Sequence, residues 1–263
     1  MVLLRYTAIV ALGLLGAARP ARASDPFEIQ VYDGTANAPH TFGLELHLNR
    51  FATGHGTAEA PELPLRGQLH ATLEPSFGLF AWWEIGAYLQ SAVRADGRLD
   101  YAGFKLRSKF VSPPSFHAHL RLGLNVELSI LPETYDRSRF GGELRPIVAW
   151  EGSGWLFAVN PIIGVPLGAP GFHQGPTFEP ALKITRGFAE TFAVGVEYYS
   201  DVGPIAAPEP ARLEGHSLFG VIDILAFQGF EANVGLGGGI TPASAGLVGK
   251  VILGYTFERK KPR

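Results

Sequence analysis

From Phe42 onward the chain alternates apolar and polar residues with a period of two. Phe42, Leu44, Leu46 and Leu48 stand against Gly43, Glu45, His47 and Asn49. Leu120, Leu122, Leu124, Val126, Leu128 and Ile130 stand against Arg121, Asn125, Glu127 and Ser129. Such alternation puts one set of side chains on each face of an extended strand and argues for β structure. It recurs at 65–73, 83–89, 104–110, 143–151, 155–167, 177–185, 192–200, 216–225, 230–240 and 247–257. That predicts about twelve strands, each near the length a tilted strand needs to cross a bilayer.

The connections alternate between long (51–64, 131–139, 168–176, 202–215) and short (76–81, 111–115, 151–154, 186–190, 226–229). Aromatic pairs bracket the short ones: Phe77 with Trp82, Phe110 with Phe116, Trp150 with Trp155, Phe188 with Phe192 and Phe227 with Phe230. Aromatic rings favour membrane–water interfaces, and outer-membrane barrels have short periplasmic turns and longer outer loops. A soluble barrel would point its apolar face inward. Here the turn rhythm and the aromatic rows favour the reverse: an all-β, antiparallel up-and-down transmembrane β-barrel with its polar face inside.

The first residues sharpen this expectation. Arg5, an apolar run from Tyr6 to Ala18 and Ala21-Arg22-Ala23 have the layout of a cleaved signal peptide, too short for a spanning helix. The predicted organisation is a signal peptide at 1–23, an N-terminal segment at 24–40 (periplasmic, or a lumen plug), a barrel at 41–257 and a periplasmic tail at 258–263. Within the second piece, Phe27–Asp33 alternates like a strand, yet a thirteenth strand would spoil the even count of bacterial barrels. The chain lacks cysteine and carries a net charge of −2. No disulfide framework and no nucleic-acid partner are expected.

The last strand ends Gly254-Tyr255-Thr256-Phe257. With Lys250 seven residues before the final aromatic, and with Tyr255 and Phe257, it resembles the C-terminal signal of Gram-negative outer-membrane proteins. Ile252 departs from the usual glycine, and six residues follow Phe257. The mature chain is also loosely similar to outer-membrane barrels associated with phenol-degradation pathways. This resemblance implies location in the cell outer membrane, outer-membrane lipid and the barrel-assembly machinery as partners, and a transporter-like role for a small-molecule solute.

Candidate chemistry is sparse. Glu74, Glu84, Lys105, Arg107, Lys109, His119, Arg121, Glu127, Glu143 and Arg145 fall on the polar face and are the candidate lumen lining. Glu84 should reach Lys109, and Glu127 should face Glu143 with Arg145 nearby. Such a lattice either selects a solute or fills the lumen with cross-strand pairs. Pro146, Pro161, Pro166 and Pro180 fall within neighbouring strands and each removes a ladder donor. They mark either a lateral seam or a set of bulges. His117 and His119 are spaced to share a strand face. Gly235, Gly237 and Gly239 either widen the lumen or allow close packing. Ser153 lies in a turn rather than a nucleophile elbow, and Ser108 has no outward histidine beside it. The expected function is therefore a passive or gated channel or transporter for a small solute. The alternatives are a closed barrel with a structural or surface role and, less favoured, an outer-membrane lipid hydrolase. No enzyme activity, cofactor or metal is expected.

Overall fold

The computed structural model describes residues 25–54, 58, 60–169 and 171–257. The expected signal peptide, the expected tail and His55 lie outside the described residues. Twelve antiparallel strands form one closed barrel. They are β1 (Phe42–Phe51), β2 (Leu69–Phe80), β3 (Trp83–Val93), β4 (Leu99–Val111), β5 (Leu120–Ile130) and β6 (Phe140–Gly152). The next three are each in two segments: β7 (Trp155–Asn160 and Ile163–Pro166), β8 (Thr177–Phe178 and Ala181–Ala189) and β9 (Phe192–Asp201 and Gly203–Pro204). Then come β10 (Gly215–Phe227), β11 (Phe230–Gly239) and β12 (Leu247–Phe257). Each strand pairs with its chain neighbours, and β12 closes on β1 from Phe42↔Phe257 to Phe51↔Val248. Closure removes the exposed edges that an open sheet would leave. Apart from a short 3-10 turn at Gly171–Gln174, no helix occurs among the described residues.

The faces are assigned unambiguously. On β5, Leu124 is 39% exposed while Asn125 is fully buried. The outward set runs around the barrel as Leu128, Leu144, Val148, Phe157, Val159, Val194, Val196, Ile222, Val234 and Leu253. A contiguous apolar surface of this extent needs an apolar surrounding. The buried set is polar and charged, the inverse of a soluble barrel.

One end of the barrel, the turn end, carries the short connections. There Phe80, Trp82, Trp83 and Phe110 stack in a row, Trp155 stacks on Phe157, and Phe188 on Phe192. Ser153 and Gly154 both adopt positive φ (51° and 75°), the two-residue hairpin turn that suits the strand twist. Some expected boundaries shift. Strand β2 begins at Leu69, not Leu65, because Gly67 turns the chain at φ 80°. It then runs on through Pro75 to Phe80, beyond the expected end at Leu73. The connection expected at 111–115 runs on to His119, so His117 and His119 stand in the turn before β5 and not on a strand face.

Candidate functional site: the barrel lumen

The lumen is occupied by the chain's own N-terminal segment. Residues 25–40 descend from the loop end to the turn end and pass into β1. Phe27 sits at the loop end, stacked on His70 (4.2 Å between centroids) and edge-on to Tyr135 from the 131–139 loop. Asn49 donates to the Pro26 carbonyl and Thr72 to the Phe27 carbonyl. Near the turn end, Arg121 pairs with Asp33 (3.2 Å), and the Asn37 backbone donates to Glu84 (2.6 Å). Midway, Asn160 treats Tyr32 as a strand partner: its amide accepts from the Tyr32 N–H and donates to the Tyr32 carbonyl.

The alternation of Phe27–Asp33 now has a cause: the segment is extended between two unlike walls. Glu28 and Tyr32 turn toward the charged wall built by β2–β6. Glu28 meets Arg145 (3.2 Å) and Lys105 (3.6 Å), and Tyr32 meets Glu28 and Tyr88 (2.6 Å). Ile29 and Val31 turn the other way and pack in one buried cluster with Ala149, Ala158, Ile162, Ala181 and Val221. Full burial of each such side chain stabilises the seated segment by roughly 1.5–3 kcal/mol.

The charged wall contains most of the candidate residues. Arg107 bridges Glu74 (2.6 Å) and Glu84 (2.7 Å), and Lys109 reaches Glu84 at 3.0 Å. Glu127 and Glu143 are directly opposed, with Lys105 on the first (3.3 Å) and Arg145 on the second (2.6 Å). Arg121 pairs with Glu151 as well as Asp33. His119 does not join them. It is exposed beside Trp150, with a ring nitrogen on the Glu151 carbonyl (2.8 Å), while His117 accepts backbone N–H bonds from His119 and Leu120.

A second cluster was not singled out from the sequence. Lys250 is fully buried and bonds Glu197 and the Ile29 carbonyl, and Lys183 joins Glu197 to Asp223. Gly235 and Gly237 face this cluster. A Cβ at Gly235 would lie 2.9 Å from Lys250 Cε, and one at Gly237 would lie 2.6 Å from Phe219. These glycines accommodate neighbouring side chains; they do not widen the lumen. The sequence signals were Lys183, Glu197 and Lys250, each on the polar face of its strand, with Lys250 on the same face as Val248 and Ile252.

The segment's own carboxyl groups are tuned by the same contacts. Burial raises the Asp25 carboxyl, but Lys105 outweighs it and holds it below the ordinary aspartate value. Asp33 is likewise lowered: burial opposes, but Arg121 and Thr35 prevail. Glu28 is raised, because its burial exceeds what Arg145 and Lys105 return.

Among the described residues, one cavity adjoins the segment toward the loop end and another toward the turn end. The loop-end cavity is about 320 Å³ and is lined by Asp25, Lys105, Glu127, Tyr135, Glu143, Glu179 and Asp201, among others. The turn-end cavity is about 200 Å³ and is lined by Asp33, Glu45, Glu74, Lys109, Lys183, Asp223 and Glu231, among others.

The prolines fall into a pattern. Val148↔Val159 and Leu144↔Ile163 place Pro146 directly opposite Pro161. Asn160↔Ala181 and Ile163↔Phe178 place Pro161 opposite Pro180. Three prolines therefore stand in one row across β6, β7 and β8, on the outer face. The Glu179 N–H donates to the Ile162 carbonyl, so Ile162 faces β8 and Pro161 faces β6. The Pro146–Pro161 pair thus lacks both of its ladder bonds. The register is the same on either side of it, so no bulge is present there. Beside the row, the register moves by one residue between β8 and β9, from Ala181↔Tyr199 to Phe178↔Gly203. Pro166 is not in the row: it pairs with Gly141 at the loop end and lines the larger cavity.

No family model matches this chain, and no curated protein matches its sequence. Solved structures do match its fold. A COG4313 outer membrane channel from Pseudomonas putida F1 superposes with a TM-score of 0.58 at 8% identity, over 88% of this chain and 100% of that one. The KdgM porin gives 0.54 at 9% identity, over 82% and 99%. The NanC porin gives 0.52 at 8% identity, over 83% and 100%. The chain is an outer-membrane-type β-barrel. The expected class, strand number and inward polar face all hold in this barrel. As for chemistry, the Ser108 hydroxyl accepts a hydrogen bond from the Trp83 indole (2.8 Å) in the aromatic row.

Proposed function

We propose that this protein is a gated channel for a small solute in the outer membrane, closed by its own N-terminal segment. The observation that carries this reading is the pair of cavities separated by residues 25–33. A barrel with a purely structural role needs no vestibule at either end. In this reading residues 1–23 are a signal peptide cleaved after Ala23, 24–40 is the plug, and 258–263 is a tail. The turn end faces the periplasm and the loop end the exterior. The charged wall acts as lining and as plug seat, and the barrel performs no catalysis. Porin folds among its structural likenesses support transport, one of them a KdgM porin in complex with oligogalacturonate, with a TM-score of 0.50 at 8% identity. The test is single-channel conductance of the purified protein in planar bilayers. Rare or small openings are expected for the full chain, and larger steady steps for a variant lacking residues 26–36. Silence in both would favour the closed barrel with a structural or surface role.

A second reading concerns the route. The row Pro146, Pro161 and Pro180 is a hydrogen-bond-poor line across the wall next to the apolar side of the plug. It supports a lateral exit by which an apolar solute leaves the lumen for the bilayer. Uptake of such a solute should slow when Pro146 and Pro161 are both replaced by alanine.

A further inference from the structure

Glu45 on β1 and Glu74 on β2 are directly opposed across the pair, both facing inward. Like charges at such positions destabilise a sheet unless something positive lies between them. The Glu127–Glu143 pair has a separate cation on each partner, Lys105 and Arg145. The Glu45–Glu74 pair is bridged instead by one imidazole. His47 Nε2 lies 3.0 Å from Glu74 Oε2 and 3.5 Å from Glu45 Oε2, and the three potential ligand atoms lie within 4.8 Å of one another. Arg107 engages the other oxygen of Glu74, which leaves Oε2 turned to the histidine.

We infer that Glu45, His47 and Glu74 form a binding site for a divalent transition-metal cation of the zinc kind. One imidazole nitrogen and two carboxylate oxygens are a suitable three-ligand set, and about 2.0–2.2 Å from each atom is reached by small side-chain shifts. A dication replaces the single proton that the imidazole would otherwise need to bridge two carboxylates. Arg107 fixes the orientation of Glu74 from outside, as an outer-shell partner does. His47 is fully buried, so its ring is already held in place. Two further facts point to a ligand. Glu45 and Glu74 both line the turn-end cavity, which supplies access and a fourth, solvent position. Gln30, on the N-terminal segment, places its amide nitrogen 3.4 Å from Glu45 Oε2, while its Oε1 is buried without a hydrogen-bond partner. Rotation of that amide turns a free oxygen toward the same point.

The test is calorimetric titration of the chelator-treated, detergent-solubilised full chain with Zn²⁺, with Co²⁺ absorption as a spectroscopic probe. One equivalent should bind, and Co²⁺ should give the intense visible bands of a four- or five-coordinate site. Glu45→Gln should weaken binding by at least about tenfold, with barrel folding checked by heat-modifiable gel migration. His117→Ala with His119→Ala should leave the tight equivalent intact. If Glu45→Gln does not fold, the Co²⁺ spectrum of the unaltered chain decides, since six-coordinate weak bands would contradict the site. Absence of binding at millimolar Zn²⁺ would overturn the inference, as would loss of binding only in the double histidine variant. Neither readout requires conduction, so this result stands apart from the channel reading.

Discussion

The two walls of the lumen solve opposite problems. Strands β3, β4 and β5 pair over nearly their full length, and their inner face is an ionic lattice of Glu84, Lys105, Arg107, Lys109 and Glu127. The proline row crosses β6, β7 and β8 and splits the last two, and below that row their inner face includes the small apolar Ala149, Ala158 and Ala181. The first wall's buried charges are paired, and removing one partner would leave the other costly. The second has lost ladder bonds but offers a dry surface. The N-terminal segment spans the difference, with Glu28 and Tyr32 against the lattice and Ile29 and Val31 against the alanines. A plug held this way is specific in orientation, because sliding it by one residue would press Glu28 onto the apolar wall.

The largest expected effect comes from unseating the plug. Phe27 is buried against His70 and Tyr135. Phe27→Ala should cost about 3–5 kcal/mol of seating and make residues 25–37 accessible to protease in the folded barrel. Unchanged protection would mean that the two walls hold the segment without its loop-end anchor. Next, the faces themselves can be tested. Leu124→Arg on the lipid side of β5 should cost about 2–4 kcal/mol and impair insertion. Ser129→Arg, on the lumen side and lining the loop-end cavity, should be milder, as scored by heat-modifiable migration.

The proline wall should respond more weakly and in the other direction. Pro146→Ala with Pro161→Ala can restore two ladder bonds, worth about 0.5–1.5 kcal/mol each, so the barrel should unfold at higher temperature. A fall in stability would show that the row shapes the wall and would remove the motive for a seam. The smallest effect is that of pH. Asp25 and Asp33 have lowered values in the seated segment, so their contribution persists from neutral pH down to the ordinary aspartate value, about 3.9, and is lost as pH falls through their depressed values. Glu28 is raised, so it takes up its proton more readily when seated, and acidification from neutral pH favours the seated form on its account. Conductance at pH 5 should therefore not exceed that at pH 7; a large rise would contradict both signs.

Much of the barrel was legible from alternation, because a period of two fixes the strands; which face lies inside followed only with the signal-peptide layout, the turn rhythm and the aromatic rows. The Glu84–Lys109 contact and the Glu127–Glu143 opposition follow from hairpin register between neighbours. The rest depends on closure. Lys250 meets Glu197 only because β12 and β9 face the same lumen, and Glu28 meets Arg145 only because the N-terminal segment folds inward. Nothing local in Ala149, Ala158 or Ala181 announces a lumen wall. The proline row was visible as four residues, yet only register separates the three in line from Pro166. His119 was misplaced because a strand start is set by the turn that precedes it, here longer than the alternation suggested.

The account rests on residues 25–37 closing a lumen that would otherwise conduct. Planar-bilayer recording of the full chain beside the variant lacking residues 26–36 tests this directly. The account predicts a several-fold larger and steadier conductance in the variant. Equal conductance in two correctly folded barrels would show that the segment fills space without closing a path, and would contradict it.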